Sequence, residues 1–244
     1  MDFIFARPDS KAAAAALEVC HEYAEPWLLN HSQRAYSWAT AYAAKTDVAH
    51  DGELLYVAAL LHDLALTTPF DSHTAPFEEA GGHLAWVFAA GAGWGRVRRD
   101  RLAEIIVRHM RDDVAAEDDP ESHLLQVAVT ADVSGGGLDR FPDRVKRDVL
   151  TRYPRLGFAD AFLARARDQA ERKPHCAAAG LMRDGWAQRI LDNPLDAPRA
   201  GAGAGRGPPR RAGGTRARRG PTRRAGCWTR CCRTCVASAS GRTW

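Results

Sequence analysis

Apolar residues in the first 198 positions recur at spacings of three, four and seven, and they rarely alternate with polar residues. Such spacing is typical of amphipathic helices, whereas strict alternation is typical of half-buried strands. Two-residue hairpin signals are also missing from the sequence. The pattern predicts an all-α bundle of seven or eight helices. The predicted helices cover residues 31–44, 53–66, 76–90, 100–111, 121–133, 143–151, 158–172 and 175–192.

The last 46 residues differ from the rest in composition. Residues 199–244 contain twelve arginines and no acidic residue. Residues 1–198 therefore contain 22 of the 34 basic residues and all 30 acidic residues. The formal charge is therefore −8 before residue 199 and +12 after it. A segment rich in Gly, Pro and Arg cannot bury a core, which predicts disorder. We interpret the chain as a helical lead-in at 1–24, a helical domain at 25–198 and a disordered basic tail at 199–244.

Three interpretations of the tail remain open. Its arginines could neutralise the phosphates of a nucleic acid, and its four cysteines, at 227, 231, 232 and 235, could bind zinc. Their spacing lacks the paired C-x2-C of common zinc modules, however. The third interpretation is an unstructured extension without a function of its own. A nucleic-acid partner is expected only if the tail is functional.

Cysteine usage and hydropathy suggest where the protein works. Only Cys20 and Cys176 lie outside the tail, too few for a disulfide framework. No stretch reaches the roughly 18 apolar residues of a membrane span, and the N-terminus lacks the pattern of a secretory signal. We expect a cytoplasmic protein without a membrane partner. The oligomeric state cannot be predicted from the sequence.

The pair His62-Asp63 lies inside the most apolar segment of the chain, 53–66. Burying even one uncompensated polar group costs roughly 2–7 kcal/mol, so this pair needs a partner. A metal ion would offset the burial of both side chains. A structural aspartate held in a salt bridge is the alternative, and this feature alone does not decide between them.

Three more potential ligands lie on apolar helix faces. Asp132 follows apolar residues at spacings of three, four and seven, and His109 does the same. His31 is followed by apolar residues at spacings of four, seven and eleven. Histidine and aspartate are common metal ligands. One such residue is usually a hydrogen-bonded core residue, but four helices each contributing one favour a metal site.

The order of these residues resembles that of the HD-domain superfamily, whose members are all-helical, metal-dependent phosphohydrolases and related enzymes. The blocks NHSQRAY, ELLYVAALLHDLALT, FEEAGGHLA, IIVRHM and TADVSGGGLDRFP are similar to those of the cyanamide hydratase-like branch. The resemblance covers about residues 25–175. It implies that His31, His62, Asp63 and Asp132 hold the ion. Ala65 departs from the glycine that the family usually has there, a small change that we expect to be tolerated.

The number of metal ions depends on His83 and His109. Two-metal HD enzymes, including HD oxygenases, place a histidine near position 83, and His109 would complete their six-residue set. Trp86, Val87 and Ala90 suggest an inward face that His83 would share. Because the surrounding blocks resemble the hydratase-like proteins, we expect one metal ion. His83 then contacts substrate, and His109 is a residue of the pocket.

Further residues are candidates for substrate binding and catalysis. Asp63 and His109 are expected to act in catalysis, and Glu78 could orient the pocket or shuttle a proton. A glutamate at a helix start is also favourable against the helix dipole, which is the simpler explanation for Glu78. Arg34, one turn after His31, and Thr67, just beyond the His-Asp pair, are expected to contact substrate.

The predicted function is that of a metal-dependent hydrolase or hydro-lyase that activates water on a small molecule. The mixed nitrogen and oxygen ligands suit Zn, Mn, Fe, Co or Ni. Attack by water on phosphorus would make the protein a phosphohydrolase, and attack on a nitrile-type carbon would make it a hydratase. The alternatives are a two-metal HD oxygenase and a non-catalytic HD protein that binds or regulates.

Overall fold

The computed structural model describes residues 2–111 and 114–196, and these residues form helices without a strand. The prediction of an all-α fold is therefore confirmed. The predicted disordered tail at 199–244 lies outside the described residues. The α-helices are α1 (Lys11–Tyr23), α2 (Pro26–Thr46), α3 (Gly52–Leu61), α4 (Phe77–Gly91), α5 (Arg96–Arg108), α6 (Pro120–Ser134), α7 (Asp143–Arg152), α8 (Phe158–Arg172), α9 (Ala177–Arg183) and α10 (Trp186–Leu191).

Local sequence signals explain where several helices begin. Ser10, Asp51 and Asp119 cap α1, α3 and α6, and each side chain accepts a hydrogen bond from a backbone N–H of the first turn. Such a cap satisfies one of the N–H groups that a helix start leaves without a partner. Proline occupies the first helical position of α2 and α6, where its missing N–H has no cost.

Helix α3 lies at the centre of the bundle, as its all-round apolar sequence predicted. Its residues from Leu54 to Leu61 are all buried. Helices α1, α2, α5 and α6 pack around it. The predicted lead-in at 1–24 includes α1, whose alanines and Cys20 belong to the same core.

Two glycines allow α4 to approach its neighbours closely. A Cβ atom built on Gly81 would lie 3.2 Å from the backbone oxygen of His62, and one on Gly82 would lie 3.2 Å from that of Ala103. Larger residues would push α4 away from the end of α3 and from α5. This packing brings the C-terminal end of α5, where His109 lies, towards His62.

Helices α8 and α10 contribute aromatic residues near the N-terminal end of α2, where His31 lies. Phe158 and Phe162 of α8 stack with ring centroids 5.1 Å apart, and Trp186 of α10 meets Phe162 edge to face at 5.5 Å. Phe158 also lies 4.8 Å from the ring of His31. These aromatic residues close the apolar side of the region described below.

Two predicted helices are shorter in the structure. The predicted helix 53–66 ends at Leu61, and a short 3-10 turn follows at Leu64–Leu66. The predicted helix 175–192 is divided into α9 and α10 at Gly185, whose φ of 79° is left-handed. Apolar spacing continued through both breaks, so periodicity did not reveal them. None of the helices within the described residues has the length and apolar character needed to cross a membrane.

Candidate metal centre

Three predicted ligands meet at one point in the core. His31 comes from α2, and His62 and Asp63 lie at the C-terminal end of α3. Nε2 of His31 lies 3.2 Å from Nε2 of His62, and Oδ2 of Asp63 lies 3.3 Å from both nitrogens. Their solvent-exposed fractions are 0%, 0% and 2%.

The end of α3 explains why two adjacent residues reach the same point. The sequence predicted this pair in the middle of a helix, which is wrong. His62 caps the helix, and Asp63 has φ −107° and ψ 4°, so the chain leaves the helix between them. In a continuous helix, adjacent side chains point about 100° apart, and only the break lets both converge.

The hydrogen bonds of the two rings leave their Nε2 atoms as acceptors. Nδ1 of His62 donates to the backbone oxygen of Ala59 at 2.8 Å, and Nδ1 of His31 donates to Asp132 at 2.7 Å. These partners assign the proton of each neutral ring to Nδ1. Two bare nitrogens and a carboxylate oxygen therefore face one another, and this cluster requires a proton or a metal cation.

Electrostatics inside the cluster follow the same logic. Burial raises the pKa of Asp63, but the charges and hydrogen bonds of His62 and His31 outweigh it and hold the pKa well below its usual range. Burial lowers the pKa of His31, but its hydrogen bonds with Asp132 and Asp63 outweigh that effect and raise the pKa. Without an ion, a proton on His31 would take the place of the cation.

A divalent ion fits these residues. His31, His62 and Asp63 offer ligand atoms that lie within 4.8 Å of one another. The other carboxylate oxygen of Asp63, Oδ1, is buried and has no hydrogen-bond partner within the described residues. An orphaned buried carboxylate oxygen is costly, and a metal ion or its coordinated water would satisfy it. Two imidazoles and one carboxylate suit first-row transition metals.

Asp132, the fourth predicted ligand, lies outside this group. It is fully buried in α6, on the Nδ1 side of His31, opposite the Nε2 that faces the cluster. Its Oδ1 accepts hydrogen bonds from Arg34 Nε at 2.7 Å and Trp38 Nε1 at 2.9 Å. Its Oδ2 accepts from Arg34 Nη2 at 2.8 Å as well as from His31. These donors hold both oxygens, so the structure brings three of the four predicted ligands together.

Arg34 therefore has a different role from the predicted one. The guanidinium is fully buried, binds Asp132 through two nitrogens and reaches the backbone oxygens of Tyr153 and Pro154 at 3.2 and 3.3 Å. A guanidinium with its donors used in this way is not free to meet a substrate. The three-residue spacing from His31 correctly placed Arg34 on the same helix face. Nothing in the spacing indicated that Asp132 would bind the guanidinium.

His109, predicted to be a residue of the pocket, lies beside the cluster. It caps α5 and donates from Nδ1 to the backbone oxygen of Ile106. Its bare Nε2 lies 3.6 Å from Oδ1 of Asp63. Burial and then the charge of His62 lower the pKa of His109 to about 4, so the ring is neutral at neutral pH. Both atoms are acceptors, so a donor such as a water molecule could hydrogen-bond to both of them.

A cavity of about 190 Å³ opens onto His31, His62, Asp63 and His109. Val129, Val133 and Phe162 supply part of its apolar wall, and Gln126 and Thr130 supply polar groups. Arg111 and Arg189, both exposed, also line it. The lining residues of α6, α8, α9 and α10 were not predicted, because apolar spacing does not distinguish a cavity wall from a packed core. The remaining lining residues are Met110, Ser134, Leu181 and Trp186.

Three other predicted site residues do not line this cavity. Thr67 is buried and donates its hydroxyl to the backbone oxygen of Leu64 at 2.7 Å. Glu78 is 7% exposed, and its Oε2 has no hydrogen-bond partner within the described residues. His83 lies on the exposed face of α4 with Val87, which is 66% exposed. The expected inward face of α4 at His83 is therefore wrong, because Gly81, Gly82 and Ala85 face inward instead.

Comparison with known proteins identifies similar sequences. Residues 28–133 match the family model of the HD domain. The chain is similar to two proteins of Saccharomyces cerevisiae (strain ATCC 204508 / S288c), Cyanamide hydratase DDI2 and Cyanamide hydratase DDI3. Each is 28% identical over 193 residues, which cover 76% of this chain and 84% of the relative. These similarities support a metal-dependent, hydrolase-like function.

The matched segment begins three residues before His31 and ends one residue after Asp132, so it contains the whole His, His-Asp, Asp series. Over residues 28–133, the chain is therefore similar to the HD-domain family.

Proposed function

We propose that the protein is a metal-dependent hydratase that adds water to a small nitrile-type substrate such as cyanamide. The observation that carries the proposal is the convergence of three bare acceptors, on His31, His62 and Asp63, beside the unprotonated Nε2 of His109. The similarity to cyanamide hydratases supports the choice of substrate.

Each of these residues has a defined task. A divalent ion held by His31, His62 and Asp63 would lower the pKa of a coordinated water molecule and polarise the electrophile. Oδ1 of Asp63 and Nε2 of His109, 3.6 Å apart, both accept hydrogen bonds, so together they orient a water molecule that donates to both. His109 takes a proton from this water as the new carbon–oxygen bond forms, and returns it to the nitrile nitrogen. The resulting imidic acid tautomerises to the amide, which for cyanamide is urea.

The cavity supports a small and uncharged substrate. Its volume of about 190 Å³ lies below the roughly 300–1,000 Å³ of pockets for drug-sized ligands. Arg34, the buried arginine nearest to the cluster in sequence, is committed to Asp132. Phosphoryl transfer needs cations that neutralise the charge developing on the phosphoryl oxygens, and Arg34 is not available for this task.

A phosphohydrolase is the second candidate. Arg111 and Arg189 line the cavity and could attract an anionic substrate. Both are exposed, and Arg189 donates to the backbone oxygen of Asp184 at 2.7 Å. A two-metal oxygenase has less support, because His83 is exposed on α4. Iron content together with oxygen consumption would separate an oxygenase from both hydrolytic candidates.

Turnover of two substrates by the same metal-loaded protein tests the proposal. We expect wild-type protein to convert cyanamide to urea, and Asp63→Asn, which keeps the shape of the side chain, to lose this activity. His83→Ala serves as the matched control and should retain it. Release of phosphate from p-nitrophenyl phosphate without any formation of urea would overturn the hydratase proposal in favour of the phosphohydrolase.

A further inference from the structure

Arg155 lies outside the segment that matches the HD family, yet it reaches Asp132. It belongs to the turn between α7 and α8 and is 7% exposed. Its Nη1 donates to the backbone oxygen of Asp132 at 2.8 Å and lies 3.6 Å from Oδ2 of the same residue. On its other side, Nε and Nη2 bind the two oxygens of Asp196 at 2.5 and 2.8 Å.

The backbone oxygen of Asp132 needs such partners. The last four carbonyl groups of an α-helix have no N–H partner within the helix, and Asp132 lies two residues before the end of α6. Asn193 supplies a second donor, with Nδ2 2.9 Å from the same oxygen. Arg155 and Asn193 together fix the backbone at Asp132 from a segment that follows the HD domain.

A second contact links Arg155 to the cluster through an aromatic ring. The guanidinium carbon of Arg155 lies 4.7 Å from the ring centroid of Phe158, a distance typical of a cation–π contact. The ring of Phe158 lies 4.8 Å from the ring of His31, at an interplanar angle of 32°. Arg155 thus touches both neighbours that set the orientation of the His31 ring, Asp132 on one edge and Phe158 on one face.

We propose that Arg155 is a positioning residue for the metal centre and that it acts on His31 through Asp132. This inference rests on the proposed function. With its backbone fixed by Arg155, Asp132 accepts from Nδ1 of His31 and holds Nε2 towards His62 and Asp63. Carboxylate partners of metal-binding histidines orient the ring and raise its basicity in this way, and their loss typically weakens metal affinity about 10–100-fold.

A structural role in the ion pair with Asp196 is the competing explanation, and the two make different predictions. The pair with Asp196 anchors the end of the described chain, whereas the contact with Asp132 leads to the cluster. Arg155→Met removes both contacts. Asp196→Asn weakens only the outer pair and leaves the hydrogen bond from Arg155 to Asp132, so it is the matched control.

The test measures the affinity of the full-length apoprotein for Co²⁺ at a fixed pH, together with its thermal unfolding. Arg155→Met is expected to bind Co²⁺ about 10–100-fold more weakly than wild type at a temperature where both are folded. We expect Asp196→Asn to lose thermal stability but to retain the wild-type affinity. The visible spectrum of bound Co²⁺ should also change in Arg155→Met and not in Asp196→Asn.

Arg155→Lys keeps the charge but lacks the planar fork that serves both partners. It is expected to bind Co²⁺ less tightly than wild type, and it tests the inference if Arg155→Met does not fold. Wild-type affinity in the folded arginine variants would overturn the positioning role. Absence of Co²⁺ binding by the wild-type protein would instead overturn the proposed function itself, so the two failures are distinguishable.

Discussion

The Nδ1 atom of His31 lies 2.7 Å from Oδ2 of Asp132, on the edge of the ring opposite to the Nε2 that faces His62 and Asp63. An imidazole directs its two nitrogens away from each other, so a ligand on one side is separated by the ring from a partner on the other. This relationship makes Asp132 the partner that orients His31. The arginine and tryptophan at its two oxygens reinforce that role.

Asp132→Asn tests the orienting role directly. The amide retains the shape of the side chain and an oxygen for His31, but it leaves the buried Arg34 without its counter-ion. Breaking a buried ion pair from one side typically costs about 3–5 kcal/mol, so the free energy of unfolding in urea should fall by that order. The folded variant should still bind one equivalent of metal, at lower affinity.

Trp38→Phe provides the control for that measurement. It removes one donor from the ionised Oδ1 of Asp132, which typically costs about 1.5–3 kcal/mol, and it also leaves a small cavity in the core. Complete loss of metal from folded Asp132→Asn, with intact binding in Trp38→Phe, would show that Asp132 coordinates the ion directly.

His109 is expected to make stability depend on pH. Its pKa is about 4 in the folded protein and about 6.5 in an unfolded chain, so the unfolded state binds the extra proton between these values. The stabilisation is therefore fully present above pH 6.5 and is lost as the pH falls towards 4. The loss amounts to about 3 kcal/mol at most.

This contribution is measured by urea unfolding between pH 4 and pH 8. Wild type and His109→Gln are compared after metal has been removed by a chelator. The wild type should lose stability relative to the variant as the pH falls, because glutamine does not titrate. Parallel curves for the two proteins would mean that His109 is protonated alike in both states. The variant should also hydrate cyanamide more slowly at neutral pH.

Glu78 offers a contrast between stability and activity. Burial raises its pKa, and one of its oxygens lacks a hydrogen-bond partner within the described residues. A raised pKa means that the stabilising contribution is full below pH 4.5 and is lost as the pH rises through the folded value. Glu78→Gln should therefore raise the free energy of unfolding at pH 7 by about 1 kcal/mol.

The same variant tests the predicted proton shuttle. Because Glu78 does not line the cavity, we expect the rate of cyanamide hydration to be unchanged in Glu78→Gln. A lower rate in a protein that has become more stable would identify Glu78 as part of the proton path. Asp63→Asn, measured in parallel, marks the level expected when the site itself is lost.

The sequence located the candidate ligands better than it predicted their contacts. Ligand-type residues on apolar faces located His31, His62, Asp63, His109 and Asp132, because burying such groups is costly and needs a partner. The same pattern could not show which of them share a partner. Asp132 met this criterion, and Arg34 was predicted from its position one turn after His31. The two side chains bind each other, and only the packing of α2 against α6 reveals this.

Two errors have a similar physical origin. Hydrophobic periodicity continued past Leu61, so the helix break that lets His62 and Asp63 converge was not visible in the spacing. Around His83, apolar residues suggested an inward face, but the two adjacent glycines turned out to be the residues in contact with the core. Glycine adds no apolar side chain to the pattern, so hydrophobic spacing could not predict this close packing. With the two glycines facing the core, His83 faces solvent.

The central claim is that His31, His62 and Asp63 hold one metal ion, and the metal content of the full-length protein tests it most directly. Protein purified without added metal, then loaded and desalted, should contain one equivalent of a divalent transition metal by elemental analysis. Asp63→Ala and His62→Ala should contain far less, and His83→Ala should match wild type. Two equivalents in wild type that fall to one in His83→Ala, or full metal content in Asp63→Ala, would contradict the account.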